Sequence, residues 1–175
     1  EIDFKAFCEN GINNLKRFNL VAAKSDLTKA QILKPTNNEV KLKLDSIDSY
    51  NINYNLAESL YTKKEFEKAL DNYKKANRLF NTSLSKEKIA QTEKEIKFIK
   101  LLKQGDDYTV AKNFEDAVKK YKLALKIKPN DASIKAKIAQ NQKIIDKQIA
   151  DDKSFAKYVK DGDIFSADND FDNAI

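Results

Sequence analysis

The side chains able to do chemistry are a single thiol, Cys8, and 27 carboxylates; none of the 175 residues is a histidine. Without imidazole, the most versatile acid–base and metal-binding group is missing. No second cysteine and no Gly-rich phosphate loop accompany what remains, so hydrolase, kinase, zinc and dinucleotide constellations all fail to assemble. No enzymatic activity and no cofactor are expected. Five aspartates crowd the end of the chain, at Asp161, Asp163, Asp168, Asp170 and Asp172. They lack the ordered loop spacing and the terminal bidentate glutamate of an EF-hand, and Asp161 and Asp163 fall where a helix is expected, so no metal site is read there. Cys8 has no base nearby and reads as a packing residue rather than a nucleophile. Being alone, it forms no intrachain disulfide and leaves the redox compartment open.

Charge is the other resource. Lysine and arginine number 33, with Arg17 and Arg78 the only arginines, and the formal net charge is +6. A basic balance raises the question of a nucleic-acid partner. The cations, however, alternate with acids along helical faces, as in Lys86-Glu87-Lys88 and Glu93-Lys94-Glu95, the pattern of solvated surfaces with i,i+4 pairing. A phosphate-reading surface would cluster its cations with exposed aromatics, so no nucleic acid is expected. There is no run of about 18 apolar residues, so membrane insertion is not expected either. The N-terminus lacks the basic and apolar regions of a signal peptide. The chain starts without Met and stops within a pattern at Ile175, as is expected of an excised segment, with address signals expected outside it.

The elements that must carry these residues are helices. Charged residues make up 34% of the chain against three Gly and two Pro, a long-helix composition. Internal repetition is the informative signal. Phe66, Ala69, Tyr73 and Ala76 recur as Phe114, Ala117, Tyr121 and Ala124, more weakly as Leu20, Ala23, Leu27 and Ala30, and in truncated form from Phe171-Asp172-Asn173-Ala174. Offsets of three, seven and ten put each set on one stripe of a helix. Nine residues before each copy stands a small residue, Gly11, Ala57, Gly105 and Gly162, where two helices could approach closely. Leu60, Tyr108 and Phe165 come three residues after that marker, with Asn14 in the first copy. Pro35 and Pro129 stop the second helix of their copies, and Asn37-Asn38, Asn81-Thr82-Ser83 and Asn130-Asp131 supply N-cap candidates for the next helix.

The order small residue, large apolar, aromatic, Ala, aromatic, Ala, Pro resembles the tetratricopeptide repeat, a helix–turn–helix unit of about 34 residues. The resemblance spans nearly the whole chain, as units over 1–37, 38–82, 83–130 and 131–175, the last truncated. It implies an all-α fold, an alpha-alpha superhelix in which the first helix of each unit lines a concave, ligand-binding face. The stretch Lys119 to Ile138, with Tyr121-Lys122-Leu123-Ala124 leading to Ile127-Lys128-Pro129-Asn130 and then a Lys- and Ile-rich helix, also resembles arrays of Bacteroidetes envelope proteins. That likeness implies a periplasmic or cell-envelope setting, beside peptidoglycan-binding or secretion-associated domains.

The spacing departs from the family. Successive small markers lie 46, 48 and 57 residues apart. The surplus falls at 38–51, 83–97 and 131–152, stretches without Gly or Pro that run on into the next repeat helix without a break signal. The simplest reading is a first helix extended backwards in units two, three and four, the last reaching about 55 Å; a separate short helix per insertion is the alternative. The extensions carry only narrow apolar stripes (Val40, Leu44, Ile47; Ile89, Ile96, Ile99; Ile134, Ile138, Ile145, Ile149), suited to one neighbouring helix or a coiled-coil-like seam. They are therefore expected to project from the array and partly contact one another.

Mapped by the small-residue marker, the groove positions implied by the resemblance are Lys5, Cys8, Ile12, Leu15 and Lys16 in unit one. Units two to four add Asn51, Tyr54, Glu58, Tyr61 and Thr62, then Ile99, Leu102, Asp106, Thr109 and Val110, then Ala156, Val159, Asp163 and Ser166. The residue after the marker is Glu58, Asp106 and Asp163 in successive units, and with regular stacking these form an acidic ladder flanked by aromatic and apolar side chains. Such a groove suits a protein or peptide partner with Lys or Arg and apolar anchors; the other reading is that these acids are only helix-surface residues. Chaperone-binding members of the family grip a C-terminal carboxylate with a Lys/Asn/Arg clamp. The matching positions here carry Cys8, Ile12, Glu58, Ile99 and Leu102, so that clamp is absent. Two functions are expected on these grounds: a protein–protein interaction scaffold holding a peptide in its groove, or a structural element that self-associates through its extended helices.

Overall fold

The computed structural model describes residues 2–167, and the side chains of residues 2–164. Asp168, Asp170, Asp172 and the truncated copy from Phe171 lie outside the described residues, as do the side chains of Phe165 and Ser166. The fold is all-α. Seven helices succeed one another among the described residues: α1 (Ile2–Lys16), α2 (Leu20–Leu33), α3 (Asn38–Thr62), α4 (Phe66–Leu79), α5 (Ser83–Val110), α6 (Phe114–Ile127) and α7 (Ala132–Ala167). The inserted stretches are parts of continuous helices rather than separate ones: α3, α5 and α7 run for 25, 28 and 36 residues. At 1.5 Å per residue, α7 is about 54 Å long.

Side chains and turns fix the helix ends. Asn37, Thr82 and Asp131 cap the three long helices, accepting from the backbone N–H of Val40 (2.9 Å), Ser85 (3.0 Å) and Ile134 (3.1 Å). Each satisfies one of the donors a helix start leaves orphaned. The short helices α2 and α6 start on Asn19 and Asn113, while Glu65 before α4 makes no side-chain cap bond. The turn inside each helix pair repeats one backbone motif. Phe18, Lys64 and Lys112 adopt left-handed φ of 55°, 62° and 58°. Their N–H groups reach back to Leu15, Tyr61 and Thr109, and the next N–H groups, of Asn19, Glu65 and Asn113, bond Asn14, Leu60 and Tyr108 at 2.9 Å each. This is a Schellman ending built without glycine.

The chain divides into two compact units, Glu1–Ile96 and Lys97–Ile175. In the first, Ala23, Leu27 and Ala30 of α2 bury with Val40 and Ile47 of α3, and Phe4, Phe7 and Leu15 of α1 pack onto them. A second core joins Ala57, Ala69 and Tyr73 to Tyr54, Leu60, Tyr61 and Ile89. In the second unit Phe98, Leu101, Ala117, Tyr121, Ala124 and Ile134 form the core, with Ile138 packed against it. Beyond its first residue, every member of the α2, α4 and α6 stripes is buried, as the spacing requires. The small marker is explained by close helix approach. A Cβ on Gly11 would lie 2.7 Å from Leu27 Cγ, and one on Gly105 would lie 2.4 Å from Tyr121 Cε1, distances real side chains do not tolerate.

The expectation that the extensions project is corrected for their first turns only, since along α7 Ile149 is 48% exposed and every residue over 146–160 is exposed. Val40 and Ile47 are 3% and 0% exposed, and Ile134 is 1% exposed. Each extension closes the core of the helix pair before it, because a two-helix unit leaves its stripe half open to water. Full burial of a residue such as Leu27 or Ile47 contributes about 1.5–3 kcal/mol. The α5 stripe is also corrected: Ile99 is 46% exposed, while the polar Ser85 and Thr92 are fully buried.

Candidate functional site

Two counts bring the repeats into register. From the small markers Gly11, Ala57 and Gly105, the next residue is Ile12, Glu58 and Asp106, and the sixteenth is Leu27, Tyr73 and Tyr121. From the caps Asn37, Thr82 and Asp131, the sixth residue is Lys43, Lys88 and Lys137. In repeats two and three these three positions meet.

In the first compact unit, the Tyr73 hydroxyl donates to Glu58 Oε1 at 2.6 Å, and Lys88 Nζ lies 2.8 Å from Oε1 and 3.0 Å from Oε2. Burial alone would raise the Glu58 carboxyl, but the hydrogen bonds from Lys88 and Tyr73 and the lysine charge outweigh it and hold the group below its ordinary range. Burial and then the Glu58 bond push the Tyr73 hydroxyl well up. Tyr54 stacks on Tyr50 with ring centres 5.7 Å apart and meets Tyr73 edge-on at 5.6 Å. Burial, reinforced by the Glu58 charge, pushes its hydroxyl up to about 12.

The second compact unit repeats the arrangement. Tyr121 donates to Asp106 Oδ1 at 2.6 Å, and Lys137 bonds the same oxygen while its ammonium sits 5.6 Å from the Tyr121 ring centre. Burial opposes ionisation of Asp106, yet the Lys137 and Tyr121 bonds hold its carboxyl low. Thr109 extends the network, 3.2 Å from the Tyr121 hydroxyl and donating to Asn141 Oδ1 at 3.1 Å. The buried polar residues keep the same register: Thr92 Oγ1 donates to the Lys88 carbonyl at 2.6 Å, and Asn141 Nδ2 to the Lys137 carbonyl at 2.8 Å. Ile47 holds that place in the first repeat. Each of these buried polar groups is thereby paired, as burial demands.

Glu58 and Asp106 are therefore committed to their own chain. The acidic ladder gives way to two internal ties, each linking a first helix, a second helix and the extension after it. Tyr54 and Tyr61 are partly buried against the core of Ala57, Ala69 and Tyr73, Tyr61 meeting Phe66 edge-on at 5.0 Å. Leu102 packs on the second unit's core, Asn51 is partly buried, and Ile99 and Asp163 are exposed.

The first repeat has neither acid nor hydroxyl: Ile12 and Leu27 stand in their places. A cavity of about 490 Å3 opens there, lined by Phe4, Lys5, Cys8, Glu9 and Ile12 of α1, Leu27 of α2, Lys34 and Asn37 of the next turn, and Glu39, Val40 and Lys43 of α3. That volume is within the range of small-ligand and anchor-residue pockets. Lys43 pairs with Glu39, one turn back on its own helix, at 3.1 Å, and Lys34 lies 4.5 Å from the Phe4 ring centre. Burial, then the Glu39 charge, pushes the Cys8 thiol up, so it is protonated and unreactive as a nucleophile at neutral pH.

No known protein family matches this chain, and no curated protein matches it significantly in sequence. No described helix is long and apolar enough to cross a membrane.

Proposed function

We propose that the chain is a tetratricopeptide-like scaffold that holds a segment of a partner protein against the first helix of its first repeat. The observation that carries this reading is the cavity over Ile12 and Leu27. Three groove positions expected from the repeat register, Lys5, Cys8 and Ile12, line it, whereas the equivalent places in the next two repeats are closed by the chain's own tyrosine and lysine. Apolar floor with a few polar rim groups is how peptide anchors are received. Its one thiol, Cys8, is raised by burial and the Glu39 charge rather than activated, so the reading is recognition rather than catalysis.

The test is to recover bound proteins with this chain, map the bound region to a peptide, and titrate that peptide onto wild type and Ile12→Trp. Saturable binding to wild type that Ile12→Trp abolishes is expected; equal binding to both moves the site elsewhere.

A second reading is favoured by a different observation. Along α7, Phe155, Tyr158, Val159 and Ile164 are 71%, 74%, 47% and 49% exposed, more apolar surface than a lone helix usually shows to water. In that reading the helix pairs with another copy and the chain is a structural element of an envelope or secretion assembly. Light scattering separates the two: a monomer at all concentrations supports the scaffold, and a stable dimer that Phe155→Glu dissolves supports self-association.

A further inference from the structure

The chain itself specifies what the first-repeat cavity lacks. Lys88 and Lys137 each receive a carboxylate from across the helix pair, Glu58 or Asp106, and in each case a tyrosine ring fills the space beneath. Lys43 occupies the same step of its helix, six residues after the cap. Across from it stand Ile12 and Leu27, which offer no acid and leave the space unfilled. Its ion pair is with Glu39, whose side chain is 71% exposed and sits on the same helix face. Lys5 likewise pairs with Glu9 at 3.9 Å, both mostly exposed. Such i,i+4 pairs with at least one largely exposed member are weak and readily exchanged. Lysine thus borders an apolar floor with no acid at the Ile12 step, the one carboxylate of α1 on the rim, Glu9, being paired with Lys5.

We infer that this cavity takes an aromatic or aliphatic side chain of a partner peptide together with an adjoining carboxylate on Lys43, so that the ligand supplies from outside the acid and ring that repeats two and three supply from within. The inference rests on the scaffold reading and names the chemistry of its partner. It also reverses the charge expected of that partner from sequence: Glu58 and Asp106, two of the three acids that would have attracted lysine, are tied up, and Lys43, a cation with no acid at the Ile12 step, lines the cavity. A peptide fits better than a small acid, because the arrangement being copied is two polypeptide side chains, one apolar and one anionic, held a short distance apart.

The experiment uses two blocked peptides, acetyl-Gly-Glu-Tyr-Glu-Leu-Gly-amide and its glutamine counterpart, acetyl-Gly-Gln-Tyr-Gln-Leu-Gly-amide. Cys8 is the only thiol and lines the cavity, so its alkylation by iodoacetamide, run at alkaline pH where this raised thiol supplies thiolate, reports occupancy directly. The acidic peptide is expected to slow alkylation at least fivefold at saturation, and the glutamine peptide to bind at least tenfold more weakly. Lys43→Gln should bring the acidic peptide down to the glutamine peptide's affinity. The double variant Ile12→Glu with Leu27→Tyr rebuilds the tie of the later repeats on Lys43 and should protect Cys8 with no peptide added. If circular dichroism shows that variant unfolded, Lys43→Gln alone decides. Equal affinity for both peptides, or unchanged affinity in Lys43→Gln, overturns the carboxylate assignment while leaving an apolar peptide site in place. Absence of Cys8 protection by either peptide overturns the inference altogether, and the scaffold reading is then judged separately by the peptide mapped from recovered partners.

Discussion

The Tyr73 hydroxyl donates to the Glu58 carboxylate at 2.6 Å across fifteen residues of sequence, and this bond sets how the second repeat is held. Glu58 lies on the first helix, Tyr73 on the second, and Lys88, the other partner, on the extension beyond it. Three elements converge on one carboxylate, so removing the hydroxyl leaves an acid with one fewer donor in a partly buried place. Tyr73→Phe should cost about 1.5–3 kcal/mol, the range for a hydrogen bond to a charged group. Glu58→Gln should cost less, about 1 kcal/mol, because the side chain is 39% exposed and water screens its ion pair. Denaturant melts of the two variants check both values, and an unshifted midpoint for Tyr73→Phe would remove the tie from the stability account. Charge reversal at Glu58 consequently perturbs folding before it can report on binding.

The same ties set a pH window. Glu58 and Asp106 have carboxyls held below their ordinary values of 4.5 and 3.8. A depressed folded-state value contributes stability that is present above the unfolded pKa and lost as pH falls through the folded one. Tyr54, Tyr73 and Tyr121 are raised from 10, and Lys137 is raised from 10.5. Raised values contribute stability that is full below the unfolded pKa and lost as pH climbs through the folded one. Stability should therefore be flat from about pH 5 to 9 as far as these groups decide it, falling on both sides. Absorbance at the tyrosinate band gives the check: Tyr54, Tyr73 and Tyr121 should ionise at higher pH in the folded chain than after unfolding, Tyr54 only near pH 12. Ionisation of Tyr54, Tyr73 and Tyr121 at the ordinary value of 10 in the folded chain would contradict the ties.

How much of this was legible in the sequence depended on what each helix does along its length. The short helices bury one stripe against one place, so Leu27, Tyr73 and Tyr121 could be read directly from their spacing after the small residues. The caps Asn37, Thr82 and Asp131 could be read from residue type. The extensions were legible as helices but not as core, since a narrow apolar stripe does not say whether it meets solvent or the open side of the preceding pair. In α5 the difficulty was sharper. Its first residues, up to Ile96, belong to one compact unit and the rest, from Lys97, to the other, so no single stripe runs through it. Ile99 drew attention by type, while the residues that bury are Ser85 and Thr92. The lysines of the ties were hidden among 33 cations and come into register only when counted from the caps. Glu58 and Asp106 were found at the right step, but a carboxylate's position on a helix does not reveal that a partner from its own chain already reaches it.

The left-handed turn residues carry the last prediction. Lys64 and Lys112 take φ of 62° and 58°, where a side chain crowds the next carbonyl at a cost of roughly 1–2 kcal/mol. Glycine carries no such penalty there and is the usual residue at this place in a Schellman ending, although its freer unfolded chain returns part of the gain. Lys112→Gly should raise stability by about 0.5–1 kcal/mol. Its backbone bond to the Thr109 carbonyl, 3.1 Å, would be kept. Phe18 shares the conformation but not the expectation. Its ring meets Tyr50 at 5.3 Å and Phe80 at 6.1 Å, aromatic contacts that glycine would delete, so Phe18→Gly should destabilise, by less than the roughly 3–5 kcal/mol of a fully buried aromatic because the ring is only partly buried. Thermal melts of the two variants should therefore move in opposite directions. A common direction would show that backbone strain and ring packing have been weighed wrongly at one of these turns.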